Sequence, residues 1–271
     1  MKSENLPPHW SLIESISHPG YSTEAAIADI IDNSISAKAK NIYLEGEYNG
    51  QNSWISISDD GFGMDLNELR IAMQIPSMNP QDNREPHDLG RFGLGLKTAS
   101  LSHSRLFSVI SCKNSKINFR AWDKDYVIET KDFNILTEPP ENSKAKEIFN
   151  SFDSKKDGTI VVWEKMEKIC SNWGIDEDLE KEEWQQLFLD TSQHLGMVFH
   201  RFIKNKVKIF WTYSKNDRKA QPIKPWDPFL EKHSLLLNPP ETISTNAKVK
   251  PWIIPRQSKR TDEQEEIVSG R

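Results

Sequence analysis

Three short motifs in a fixed order constrain this chain more than any other feature: DIIDN at residues 29–33, DDGFG at 59–63 and GRFGLGLKT at 90–98. The intervals between them carry helical and alternating apolar patterns. A fold that uses all three must therefore bring together a helix face, a strand end and a glycine-rich helix start. Ser22, Thr23 and Glu24 read as a capped helix start, with the helix running to about Ala37. Asp29 and Asn33 stand four apart and share one face, while Ile27, Ile31 and Ile35 define another that can enter a core. Asp32 and Ser36 add to the polar side, an arrangement that a plain surface helix also permits.

Two alternating runs, 41–48 and 53–58, flank the turn residues NGQN and predict a β-hairpin ending at Asp59. Residues 65–75 read as a helix capped by Asp65, and 76–89 as a long, polar, proline-broken loop of the kind that forms lids or stays disordered. Beyond the glycines, 94–102 reads as a helix, and 105–111, 117–122, 126–129 and 158–163 as strands. Strands paired with helices at this density predict an α+β chain built as a two-layer α/β sandwich. An acidic run at 176–183 leads into an amphipathic helix to about Ile203, followed by a strand over 207–213. The change of character near Cys170 predicts a boundary there, with domains at 1–170 and 171–271.

The residue types suggest chemistry. A carboxylate at a strand end, followed by glycines, can accept a hydrogen bond from an exocyclic amine while the backbone closes on a base; Asp59, Gly61 and Gly63 fit, though an ordinary Asp-Gly turn fits as well. Asn33 offers a neutral oxygen to a magnesium ion that keeps phosphate and water ligands. Asp29, one turn earlier, can orient or deprotonate a water. Gly90, Gly93 and Gly95 precede a helix whose N-terminal amides can surround a polyphosphate, with Arg91 and Lys97 adding charge. A dinucleotide-binding turn would need a strand just before Gly90, and a polar loop stands there instead. In a P-loop the lysine directly follows the last glycine. Here Leu96 intervenes and turns Lys97 about 100° around the helix.

The formal charge of −5 argues against a surface wholly built for nucleic acid. Even so, residues 201–219 hold seven basic residues and one acid, for which a solvated hairpin face is the simpler account. Cys112 and Cys170 form no C-x-x-C pattern, no apolar run reaches the roughly 18 residues of a membrane span, and no secretory h-region opens the chain. A cytoplasmic protein with no membrane partner is the expectation.

Taken together, the residues resemble the GHKL superfamily of gyrase B subunits, heat-shock chaperones, histidine kinases and MutL proteins. Residues 28–34 resemble its N box, 59–64 its first glycine box, 90–98 its second, and Gly158 with Thr159 its later Gly-Thr element, so that the likeness spans roughly residues 10–165. Residues 92–100 look most like MORC-type and MutL-type members, and 195–202 with 225–229 resemble the start of their transducer domain. The resemblance implies a Bergerat fold followed by an incomplete transducer-like α/β domain. It implies ATP and Mg²⁺ as cofactors, with Asn33 on the metal, Asp59 on adenine, and Thr159 supporting the base through water. Gly61, Gly63 and Met64 would line the base, and Gly90, Arg91, Phe92, Gly93, Leu94, Gly95, Leu96, Lys97 and Thr98 the phosphates. Residues 76–89 would be the ATP lid, closing as two protomers pair into a homodimer. A DNA or DNA-processing partner follows by analogy.

Two departures stand out. The family's general base is normally Glu, and the matching position is Asp29, one methylene shorter; retraction by about 1.5 Å predicts slow hydrolysis. Glu24 and Asp32 are fallback bases, about 140° and 60° around the helix from Asp29. The chain also stops soon after the transducer-like stretch, without an assignable lysine for the γ-phosphate, which suggests a fragment. A nucleotide-gated module that never turns over and a chaperone-like ATPase are the competing expectations. A histidine kinase is disfavoured because only His9 and His18 lie upstream of the first motif.

Overall fold

The computed structural model describes residues 9–16, 20, 22–75, 95–167, 174–213, 219–236, 241–244, 247–249 and 251–269. The expected lid at 76–89 and Gly90 to Leu94 lie outside them. In chain order the elements are α1 Leu12–Ile16, α2 Thr23–Ser36, β1 Asn41–Glu47, β2 Trp54–Asp59, α3 Leu66–Met73 and α4 Gly95–His103. They continue with β3 Ser104–Lys113, β4 Lys116–Asp123, α5 Lys124–Thr130, α6 Lys144–Ser151, β5 Gly158–Met166, α7 Glu177–Val198, α8 His200–Asn205, β6 Lys208–Thr212 and β7 Gln221–Pro222.

One 7-stranded sheet runs in the order β4-β3-β5-β2-β1-β6-β7. Its pairs are antiparallel except that β1 and β6 run parallel. Alternation assigns the two faces. Ile42, Leu44, Ile55, Ile57, Phe107, Val109, Val161, Trp163, Ile209 and Trp211 point inward, into one core with Ile27, Ile30 and Ile31 of α2 and Trp184, Phe188 and Leu195 of α7. The other face carries a smaller core where α6 covers β3 and β5, with Leu106, Ile110, Phe119 and Ala145 buried. The chain is thus the expected α/β sandwich, with helices layered chiefly on one side.

Local chemistry explains the elements. Ser22 accepts from the amide of Ala25 and starts α2. Asp65 and Glu68 form a reciprocal capping box at α3. Arg105 joins Glu14, Asp125 and Glu167 at one end of β3, tying α1 and α5 to the sheet.

Three expectations are corrected. Residues 126–129 are helical, because Asp123 accepts from the amides of Asp125 and Tyr126 and nucleates α5, which overrides the β-forming side chains. The helix expected to reach Ile203 breaks at Phe199, whose backbone (φ −101°, ψ 16°) separates α7 from α8. The boundary expected at residue 170 does not divide two cores. β6 adds to the edge of β1, and α7 lies over the inner face of β1, where Gly46 leaves room for Trp184 and Phe188. Tyr48 also donates to the buried carboxylate of Glu180 at 2.7 Å. Residues 195–202, which resemble a transducer start, therefore belong to the first core. Beyond β7 the described residues include two small two-stranded sheets, a 3-10 helix at Gln257–Lys259 and a helix at Asp262–Ser269.

Phe188→Ala is expected to cost about 3–5 kcal/mol in a single unfolding transition shared by the whole sheet. Urea unfolding followed by tryptophan fluorescence and by backbone dichroism checks it. Two separate transitions, with only the second moved, would restore the division at residue 170.

Candidate nucleotide site

The first two motifs meet at one end of the sheet. Ser34, on the buried side of α2, donates to Oδ2 of Asp59 at 2.8 Å, and the amide of Gly61 donates to Oδ1 at 2.9 Å. With the Thr159 amide as a third donor, roughly one of the four lone-pair sites of the carboxylate is left, so Asp59 retains acceptor capacity on its partly exposed edge. Burial pushes the Asp59 carboxyl above its ordinary range, and hydrogen bonds from Ser34 and from the amides of Gly61 and Thr159 only partly offset this. Asp60 behaves oppositely. Burial also works against its charge, but donors from Asn41 and the amide of Lys40 prevail and hold its carboxyl below the usual range.

Thr159 pairs with Asp59 across β5 and β2 and with Ser111 across β5 and β3. The Ser111 hydroxyl accepts from the Met64 amide at 2.7 Å, donates to the Gly158 carbonyl at 3.1 Å and lies 2.8 Å from the Thr159 hydroxyl. Sequence reasoning passed over Ser34 and Ser111. Ser34 directly follows the first motif, and its position on the core side of α2 was the available signal.

The glycines serve the fold first. Gly63 has φ +62°, and a Cβ there would run into the carbonyl of Cys112; a Cβ at Gly158 would run into the carbonyl of Asp59. These two positions let the turn after β2 lie flat against β3 and β5.

Asp29 and Asn33 lie on the more exposed side of α2. The Asn33 amide nitrogen donates to the Asp29 carbonyl at 3.0 Å, which leaves its oxygen as the group available to a cation. Gly95, the first residue of α4, comes so near Asp29 that an added Cβ would sit 3.5 Å from Oδ2. The phosphate-binding amides expected at α4 therefore open beside Asp29. Among the described residues no group of three or more His, Cys, Asp or Glu is placed to hold a metal. A cation here would depend on Asn33 and on oxygens of the ligand, as magnesium tolerates. The donor set fits Mg-ATP.

Lys97 differs from its expected role. Its side chain is 1% exposed, and Nζ donates to the carbonyl of Ala72 at 2.8 Å, so it bridges α4 to the last turn of α3. Burial pushes its ammonium down to about 8. Leu96 is half-buried against the core, and the Thr98 hydroxyl donates to the Gly95 carbonyl within α4.

Residues 21–159 match the family described as "Histidine kinase-, DNA gyrase B-, and HSP90-like ATPase", and the chain belongs to that family. It is 31% identical over 134 residues to the DNA mismatch repair protein MutL of Buchnera aphidicola subsp. Schizaphis graminum (strain Sg). That alignment takes in 46% of this chain and 21% of the relative, so the chain spans about a fifth of that protein's length. A solved structure titled "Crystal Structure of N terminal domain of a DNA repair protein" overlaps 78% of this chain and 55% of its own, at 17% identity and a TM-score of 0.45. No helix among the described residues is long and apolar enough to cross a membrane.

Asp59→Asn is expected to keep the fold and lose the nucleotide. The Asn oxygen can still accept from Gly61, and its NH₂ can donate to Ser34, whose hydroxyl then turns to the Ile30 carbonyl. The edge offered to an exocyclic amine becomes a donor. Because the raised carboxyl pKa means that ionisation of Asp59 opposes folding, the variant should melt no lower than wild type at neutral pH. Calorimetric titration with Mg-ATP beside a thermal melt checks both halves. In wild type, affinity should weaken as pH falls toward Asp59's raised pKa, beginning above the ordinary carboxyl value of about 3.9.

Lys97→Met tests the buried amine. A lysine whose folded pKa is depressed costs most stability while protonated, and the cost fades as pH rises through 8 toward its unfolded value. Wild type should therefore gain on Lys97→Met by about 2 kcal/mol between pH 7.5 and 9.5. A difference independent of pH would mean that the ammonium reaches solvent.

Proposed function

We propose that this chain binds Mg-ATP at the Asp59 site and hydrolyses it slowly, with Asp29 acting on the water and nucleotide binding serving as a switch. The observation that carries this reading is the convergence of three features. These are a desolvated carboxylate at a strand end with acceptor capacity to spare, an amide oxygen on the same helix as a second carboxylate, and a helix N-terminus beside that carboxylate. Family membership supplies ATP as the ligand class. Asp59 would hold the exocyclic amine of adenine, Thr159 and Met64 would support the base, and Asn33 would hold Mg²⁺ against the phosphates. Gly95 and the first turn of α4, with Gly90 to Leu94 before it, would receive the phosphate oxygens.

Asp29 would orient a water next to the γ-phosphate, and its short reach would make turnover the weak part of the cycle. The MutL likeness supports a role beside DNA-processing partners and an ATP-dependent homodimer. Both belong to this proposal, together with a cytoplasmic setting. The specific observation favouring a second reading, a binding module without turnover, is the same Asp in place of Glu.

Single-turnover phosphate release separates the two. Asp29→Ala is expected to abolish release while leaving Mg-ATP affinity within a few-fold of wild type. Asp29→Glu is expected to raise the rate by restoring the missing methylene. Equal rates in all three proteins would remove Asp29 from the mechanism, and no release by wild type, with binding intact, would favour the module.

A further inference from the structure

The second face of the sheet is covered by α6 over β3 and β5. Farther along, at β1 and β6, it presents a different surface. Tyr43 and Phe210 pair in register across these parallel strands, and their rings stack at 5.0 Å with an interplanar angle of 15°. Tyr43 is 38% exposed. Lysines gather around the end of the sheet at which β1 and β6 begin. Two Lys-x-Lys pairs lie side by side, Lys38 with Lys40 and Lys206 with Lys208. In each the middle residue, Ala39 or Val207, is buried and both lysines are exposed. The amide of Lys208 donates to the Lys40 carbonyl at 2.8 Å, which holds the pairs together. Lys204 on α8 is exposed nearby in the chain, and exposed Lys224 extends the row across β7, since the neighbouring Ile223 donates to the Ile209 carbonyl.

Among the described residues none of these six lysines forms an ion pair. The acids nearest to them, Asp60 and Asp227, are held by neutral amide donors. Asp60 accepts from the amides of Lys40 and Asn41 and from the Asn41 side chain. Asp227, whose charge is favoured partly by Lys204, accepts from the amides of Phe229 and Glu231. Glu45, beyond Tyr43 on the same face, has its carboxyl pushed up by burial, which the charge of Lys144 only partly offsets. In a chain with a net charge of −5, six exposed lysines thus outnumber the two carboxylates beside them, Asp60 and Asp227, and leave an excess of positive charge at one sheet end, next to a stacked aromatic pair.

We propose that this face binds a single nucleic-acid strand, with Lys38, Lys40, Lys206, Lys208 and Lys224 on successive phosphates and an unpaired base stacked on Tyr43 beside Phe210. Charge complementarity selects a polyanion, and the aromatic pair selects one with exposed bases, because a duplex keeps its base faces stacked internally. The nucleotide site lies on the opposite face of the same strands, so the two ligands need not compete for space.

The test is fluorescence anisotropy of the full chain, without nucleotide, against a labelled 20-nucleotide oligothymidylate and a labelled hairpin duplex at 50–300 mM salt. The expected result is binding of the single strand with a log-log salt slope of about −0.7 per phosphate contacted. The Lys206→Ala, Lys208→Ala, Lys224→Ala triple variant should flatten that slope by about 2 and weaken binding at least tenfold. Tyr43→Leu, which keeps apolar bulk but removes the ring, should weaken the single strand roughly 5- to 150-fold, the weight of one stacked base, and leave the duplex unchanged. Circular dichroism of each variant confirms folding. The proposal is overturned by no binding at 50 mM salt, by equal affinity for duplex, by lysine variants without effect, or by Tyr43→Leu losing inorganic polyphosphate as strongly as the oligonucleotide. Sedimentation with phosphatidylserine vesicles but no strand binding would assign the face to a membrane and overturn it too.

Discussion

The hydrogen bond from Ser34 to Asp59 sets the register on which the candidate site depends. Ile27, Ile30 and Ile31 hold α2 to the sheet through contacts that have no preferred direction, so burial alone would let the helix slide or turn. A hydroxyl bonded at 2.8 Å to a desolvated carboxylate removes that freedom, and such a charge-assisted bond contributes about 1.5–3 kcal/mol. With Ser34 fixed, the helical period places Asn33 and Asp29 on the neighbouring, more exposed side. The spacing between base acceptor, amide oxygen and second carboxylate is thereby set by one contact.

The strand end that carries Asp59 is held as firmly. Ser111 uses its proton on the Gly158 carbonyl and receives the Met64 amide, while Gly63 and Gly158 allow backbone to meet backbone where any side chain would collide. Donors and acceptors are matched inside this corner, as a buried polar cluster requires if it is to stabilise. A site built on matched strand ends keeps its geometry better than one built on loops.

Much of this was legible in the sequence because the motifs are local. The hairpin of β1 and β2, the Asp65 cap of α3 and the start of α2 follow from neighbouring residues. The two serines were harder to foresee, since a hydroxyl's partner depends on which face of an element turns inward. Residues 126–129 look β-forming residue by residue, and the cap at Asp123 outweighs them. The place of α7 and β6 was illegible for a different reason. Local pattern reads a new helix and strand as a new unit, whereas the inner face of β1, with Gly46 leaving a gap for Trp184 and Phe188, needs precisely such a cover, and that need shows only once the sheet is assembled. Lys97 follows the same logic: its charge suggested phosphate, and its position on the core side of α4 sends it to the Ala72 carbonyl instead.

That extension of the sheet gives the second motif a double character. Asp59 and Asp60 are consecutive, and one carboxylate is bound to α2 while the next is bound to the start of β1. Asp59 loses hydration and is held by Ser34 and Gly61. Asp60 takes three donors from Lys40 and Asn41, at the point where the lysine pairs converge. Any shift of the strand end that accompanied occupation of the Asp59 edge would be carried across one peptide unit to the backbone of Lys40, and from there to Lys208 through a single amide-carbonyl bond. The inner and outer faces of the sheet are thus joined at Asp59 and Asp60 by a covalent link and short hydrogen bonds.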